Sequence, residues 1–167
     1  MNKVENDYDY INIVSNILYG DKFNEIRTIE HHGISRFDHS VRVSYYAYKL
    51  SKALKLNSAS VARAGLLHDY FISDPSSDFK ARFYSTFTHP KLALKTAGNI
   101  FDLTDMEADI IKTHMFPFYP VAPKYMESVV VNVTDKVIGC AEFIKKFNYK
   151  LCYAINLVII FILSIGK

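Results

Sequence analysis

The chain has few of the residues that mark disulfide-bonded, fibrous or linker-rich proteins. It contains two cysteines, six glycines, five prolines and no tryptophan among 167 residues. Cys140 and Cys152 lack the number and spacing of a disulfide framework, a zinc ribbon or a redox motif, so we interpret them as buried thiols in a reducing cytosol. No repeat or Gly/Ser-rich linker divides the chain, which predicts a single domain over residues 1–167.

Charge is not concentrated in any one segment. Twenty basic and 17 acidic side chains give a formal net charge of +3, and the longest basic run is the pair Lys145-Lys146. This distribution does not favour a nucleic-acid partner. Half of the residues are apolar, which is enough for a real core and excludes a disordered chain.

The two ends of the chain differ in character. Residues 1–10 are polar and acidic and lack the apolar segment of a signal peptide, so we expect a cytoplasmic protein. Residues 148–167 are expected to form a C-terminal helix, whose apolar part would be about 22 Å long at about 1.5 Å per residue. A bilayer core is about 30 Å thick. A helix that closes the core or forms a homo-oligomer is therefore favoured, with membrane association as the alternative.

Hydrophobic periodicity predicts an all-α, single-domain bundle of six to seven helices. Cap residues locate several of their starts. The expected helices cover residues 7–18, 38–54 with Asp38 as N-cap, a segment after Asn57-Ser58, a segment from Pro90 with His89 as N-cap, a segment opened by a Thr104/Glu107 capping box, and residues 129–143.

Six polar residues fall on the inward faces or at the ends of these helices. Burying an imidazole or a carboxylate without a partner costs ~1–3 kcal/mol, so several such groups require a shared compensation, which a cation provides. Nitrogen and oxygen ligands suit divalent Fe, Mn, Zn, Ni, Co or Mg, and the lack of ligand cysteines argues against a purely structural zinc site. The six candidates for one or two ions are His39, His68, Asp69, His89, His114 and Asp135.

In this order, the six residues resemble the ligand pattern of the HD-domain phosphohydrolase superfamily, in the branch that binds two metals. The resemblance covers about Asp38 to Phe147, so it implies an HD core at 38–147 preceded by an N-terminal helix and loop at 1–37. It implies that His39, His68 and Asp135 bind one ion, that His89 and His114 bind the other, and that Asp69 bridges them. His68 and Asp69 would then stand at the catalytic centre.

The implied activity is hydrolysis of a phosphoester or phosphoanhydride bond in a small, nucleotide-like substrate by a metal-activated water. The sequence has no Gly-Tyr-Pro motif after His68-Asp69, which disfavours the subfamily that cleaves cyclic di-GMP. The alternative is a non-catalytic module that binds metal or nucleotide and signals, with membrane association through its C-terminal helix.

Three more residues are candidates, each with an ordinary alternative. Arg42 lies one turn after His39 and could contact a substrate phosphate or form a salt bridge at the surface. Lys136 is a second phosphate candidate, although scattered lysines usually solvate a surface. Asn132 lies one turn before Asp135 and could orient that carboxylate or occupy a helix contact.

Overall fold

The computed structural model describes residues 2–31, 34–71 and 79–165, with side chains over 4–29, 34–71 and 88–150. The described ranges contain eight α-helices, six of which have nine residues or more, and this confirms the predicted all-α bundle. The elements in order are α1 (Asn2–Glu5), α2 (Tyr8–Leu18), α3 (Asp21–Asn24), a 3₁₀ turn (Glu25–Thr28), β1 (Glu30–His31), β2 (Ile34–Ser35), α4 (Arg36–Ala53), α5 (Ser58–Leu67), α6 (Phe79–Gly98), α7 (Asp105–Thr113) and α8 (Met126–Ile165). Strands β1 and β2 form one short antiparallel hairpin.

Helix α5 is the centre of the bundle, in contact with α2, α4, α6, α7 and α8. Its small residues allow this, because a Cβ added to Gly65 would lie 2.8 Å from the Cα of Ser44 on α4. Real Cβ atoms do not approach a backbone so closely. The close contact of α4 and α5 brings the residues that follow α5 next to those near the start of α4.

Side-chain caps start helices α2, α5 and α7 where the sequence predicts. Asn57 caps α5, and both bonds of the predicted capping box are present at Thr104 and Glu107. Helix α4 starts earlier than predicted, because Ser35 rather than Asp38 is its N-cap. The Ser35 Oγ accepts a hydrogen bond from the Asp38 amide at 3.0 Å and donates one to the Asp38 carboxylate at 2.7 Å.

Helix α6 differs most from the prediction. It begins at Phe79 and contains Pro90 in its interior, so the expectation that His89 is an N-cap is wrong. An interior proline removes one backbone hydrogen bond and costs ~3 kcal/mol. The buried residues Pro90, Ala93 and Ala97 pack on one side of α6, and the contact of α6 with α7 offsets that cost.

Helix α8 includes the β-branched run 129–133, as predicted, and continues to Ile165 without a break. Cys140 is exposed on it, so the interpretation of this residue as a buried thiol is wrong. The side chain of Cys152 lies outside the described residues, as does the packing of the apolar segment 151–165. Within the part of the chain that the structure describes, no helix combines the length and apolar character needed to cross a bilayer.

Candidate metal centre

Five helices bring all six predicted ligands to one place. His39 comes from the second turn of α4, His68 and Asp69 follow α5, His89 lies in α6, His114 follows α7, and Asp135 lies in α8. Their ligand atoms form two groups, each with all atoms within 4.8 Å of one another. The first group is His39, His68 and Asp135, and the second is Asp69, His89 and His114.

The first group is held together by Asp135. Its Oδ1 lies 3.0 Å from the Nε2 of His39 and 3.6 Å from the Nε2 of His68. Both imidazoles are buried, and the His68 Nε2 has no hydrogen-bond partner among the described residues. A buried nitrogen aimed at a carboxylate, but too far away to bond to it, is the geometry expected for a shared cation.

The second group surrounds Asp69. Its Oδ1 lies 3.3 Å from the Nε2 of His89 and 3.6 Å from the Nε2 of His114, while its Oδ2 lies 4.0 Å from the Nε2 of His68. The two Nε2 atoms of His89 and His114 are 2.9 Å apart. Asp69 therefore lies between the two groups, with one oxygen towards each.

Hydrogen bonds behind the rings fix which nitrogen faces the site. The Nδ1 of His68 donates to the Gly65 carbonyl at 2.8 Å, and the Nδ1 of His114 donates to the Ile111 carbonyl at 2.7 Å. Both carbonyls belong to the last turn of a helix, where backbone acceptors lack an intrahelical partner. The same bonds cap α5 and α7 and leave each Nε2 free to bind an ion.

Glu142 completes the support of the first group, although the sequence analysis missed it. Its Oε2 accepts a hydrogen bond from the Nδ1 of His39 at 2.8 Å, and its Oε1 accepts one from Arg42 at 3.1 Å. Glu142 is buried and lies seven residues after Asp135 on α8, which is two turns along the same helix face. That spacing is the signal that could have identified it.

The electrostatics of the centre favour positive charge. Burial lowers the pKa of His39, but its hydrogen bonds to Asp135 and Glu142 outweigh burial and raise it to about 10. Burial also lowers the pKa of His68, yet the neighbouring Asp69 and Asp135 carboxylates shift it upward overall. Burial raises the pKa of Asp135, while its contacts with His39 and His68 bring that pKa well below its usual range. The carboxylates therefore stabilise a cation at this position.

The three other candidates have structural partners. Arg42 is about half-exposed and forms the salt bridge to Glu142. Asn132 forms no hydrogen bond with Asp135 in the part of the chain that the structure describes. Its Nδ2 donates instead to the backbone carbonyls at the end of α7, at 2.7 Å to His114 and 2.8 Å to Phe116. Lys136 donates to the same His114 carbonyl at 3.0 Å. Asn132 and Lys136 thus fix the turn that carries His114.

An all-helical bundle in which histidines and aspartates converge in two adjacent groups of possible metal ligands is typical of a metal-binding helical domain. A family model described as HD domain matches residues 36–138, more than half of the chain. Searches of the curated proteins and of the solved structures gave no match. The chain belongs to the HD domain family, whose members are mostly metal-dependent hydrolases, and its two groups of ligands could hold divalent metal.

Proposed function

We propose that the protein is a metal-dependent phosphohydrolase that cleaves a phosphoester or phosphoanhydride bond in a small, nucleotide-like substrate. The observation that carries the proposal is the position of Asp69, whose carboxylate lies between two buried groups of ligands. Phosphoryl-transfer enzymes use such paired sites, with the ions about 3.5–4 Å apart.

Divalent ions in this centre would supply Lewis acidity to the phosphoryl oxygens and acidify the attacking water. Side chains of this protein would bind the ions and orient the residues that hold them. Asp69 would contribute a ligand to both groups, and Glu142 holds the His39 ring so that its Nε2 faces the first group. Asn132 and Lys136 fix the backbone of His114 at the second site. Because most of these groups are buried, little reorganisation is needed when the substrate binds.

Metal analysis and turnover together test the proposal. Protein purified without chelator is expected to hold up to two divalent ions per chain and to release phosphate from members of a nucleotide panel. The variant Asp69→Asn removes the negative charge of the bridging side chain but keeps its shape. Turnover should fall by at least about 100-fold, since loss of an outer partner of a metal ligand already costs 10–100-fold.

Glu127→Gln is the matched control for Asp69→Asn. Glu127 is a buried carboxylate that accepts a hydrogen bond from the backbone amide of Asn57, at the start of α5. Its replacement should leave turnover unchanged. A metal-loaded wild-type protein that hydrolyses no member of the panel would contradict the proposal, and nucleotide binding without turnover would favour the non-catalytic alternative.

A further inference from the structure

A cleft of about 360 Å³ adjoins the metal centre at Asp135. One side is a face of α8, and the other is the segment that follows His114. Six of its lining residues are Met115, Phe118, Asp135, Lys136, Gly139 and Phe143. Small-molecule sites typically measure about 300–1,000 Å³. The cleft therefore falls within the size range of a small-molecule site.

The cleft has a polar end and an apolar end. Asp135 and Lys136 lie at the metal centre, where the Lys136 ammonium group is held by the His114 carbonyl. Away from the centre, Phe118 and Phe143 line the cleft while 62% and 61% exposed. Exposed aromatic rings beside a concave surface are typical of a site that binds a flat apolar group.

Gly139 makes room between these two ends. It lies one turn after Asp135 and one turn before Phe143, and a Cβ added to it would meet no atom within 4 Å. Glycine in a helix interior is destabilising relative to alanine. No close contact requires a glycine at this position. Its lack of a side chain therefore leaves open space on the cleft side of α8.

We propose that this cleft binds the flat, uncharged ring of the substrate's organic group, such as a nucleobase, and that Gly139 determines this specificity. The inference rests on the proposed function, because the scissile phosphoryl group would lie at the metal end while the ring lies between Phe118 and Phe143. Sugar phosphates and inorganic polyphosphates, which have no such ring, would gain nothing from the cleft.

Binding of adenosine and of ribose to the metal-loaded protein tests the inference, since neither has a phosphoester to cleave. In isothermal titration calorimetry, adenosine should bind at least about fivefold more tightly than ribose. That difference corresponds to ~1 kcal/mol, the lower end of what stacking a base on an aromatic side chain contributes.

Two variants locate the binding. Gly139→Leu places a large side chain at a position where the Cβ itself meets no atom within 4 Å, and it should remove the preference for adenosine. Gly139→Ala adds a single methyl group at the same position and should retain most of it. Phe118→Ala is a second variant with little risk to folding, because its ring is mostly exposed, and it should also weaken adenosine binding. Metal content should be unchanged in all three.

Equal binding of adenosine and ribose, or an adenosine affinity that Gly139→Leu leaves intact, would overturn the inference. Its failure can be distinguished from failure of the proposed function. If phosphoesters without a flat base, such as ribose 5-phosphate, are hydrolysed as efficiently as adenosine 5′-monophosphate, the proposed function is retained and the proposed role of the cleft is wrong. If adenosine binds as expected but no phosphoester is hydrolysed, the cleft stands as a binding site and the enzymatic proposal fails.

Discussion

Replacing Glu142 by glutamine removes a buried negative charge from behind His39 while keeping the size of the side chain. Glutamine has one oxygen acceptor. If it accepts from the His39 Nδ1, its amide group faces Arg42, and two donors oppose each other. If it turns around, His39 loses its acceptor. Either way, the hydrogen-bond chain from Arg42 through Glu142 to His39 is broken.

The expected loss is in metal affinity at the first site. Hydrogen-bonded partners behind a metal-binding histidine typically contribute 10–100-fold to metal affinity or activity. This range corresponds to ~1.4–2.7 kcal/mol, at about 1.4 kcal/mol for each factor of ten. Loss of the Arg42 salt bridge adds little to the effect on stability, because Arg42 is about half-exposed and exposed ion pairs contribute ~0–1 kcal/mol.

Competition of the protein with a chromophoric chelator for zinc measures this affinity. Glu142→Gln should weaken one of the two zinc-binding steps by 10–100-fold and leave the other unchanged, because the hydrogen bonds of Glu142 go to His39 of the first group and to Arg42. Glu127→Gln is again the control, since this residue lies on the same helix and is also buried, but it accepts its hydrogen bond from the Asn57 amide. Equal zinc affinities in Glu142→Gln and wild type would refute the role of Glu142, as would an equal loss in the control.

Four further predictions concern the centre and its surroundings. Asn132→Ala leaves the Phe116 carbonyl without its side-chain donor and should lower the free energy of unfolding in urea by about 1–3 kcal/mol, with weaker binding of an ion at His114. Gly65→Ala should destabilise the protein by about 1–3 kcal/mol, because the new methyl group overlaps the backbone of Ser44 and forces α4 away from α5. A Gly65→Ala protein as stable as wild type would contradict that contact. Removal of divalent ions with EDTA should lower Tm, since a ligand at 100 times its Kd stabilises the native state by ~2.7 kcal/mol. Zinc affinity should fall as the pH is lowered, because each imidazole must lose its proton to bind the ion.

Local sequence signals were sufficient to predict much of the fold. The Thr104/Glu107 box and Asn57 define helix starts by hydrogen bonds within a few residues, so they could be predicted without the tertiary structure. The start of α4 was ambiguous for the same reason. Ser35 and Asp38 are both favourable cap residues, and each bonds to the other in the structure.

His89 was wrongly predicted to be an N-cap because tertiary packing outweighs a local preference. Proline is common at the first position of a helix and unfavourable in its interior. In this chain, packing of α6 on α7 outweighs that local preference, and no local pattern shows it. His89 nevertheless reaches the centre, because its position relative to His114 depends on the same packing rather than on the cap.

The convergence of the six polar residues was expected from their chemistry, but their support could be predicted only in part. Glu142 follows Asp135 at a helical spacing and was accessible to sequence reasoning. The partners of Asn132 were not, because they are backbone carbonyls in the turn that follows another helix, α7. Such contacts depend on where α7 ends relative to α8, which the sequence pattern does not specify.

The capping of α5 and α7 by His68 and His114 has a consequence for how ions are exchanged. The Nδ1 of each ring is hydrogen-bonded to a carbonyl of its own helix end. This bond remains when an ion leaves, so it continues to hold the ring in place. The backbone therefore preorganises these two metal ligands. A zinc finger differs, because it unfolds when the metal is removed. Far-UV circular dichroism should be the same before and after chelation, and ions should return at rates limited by their own dehydration rather than by refolding of the chain.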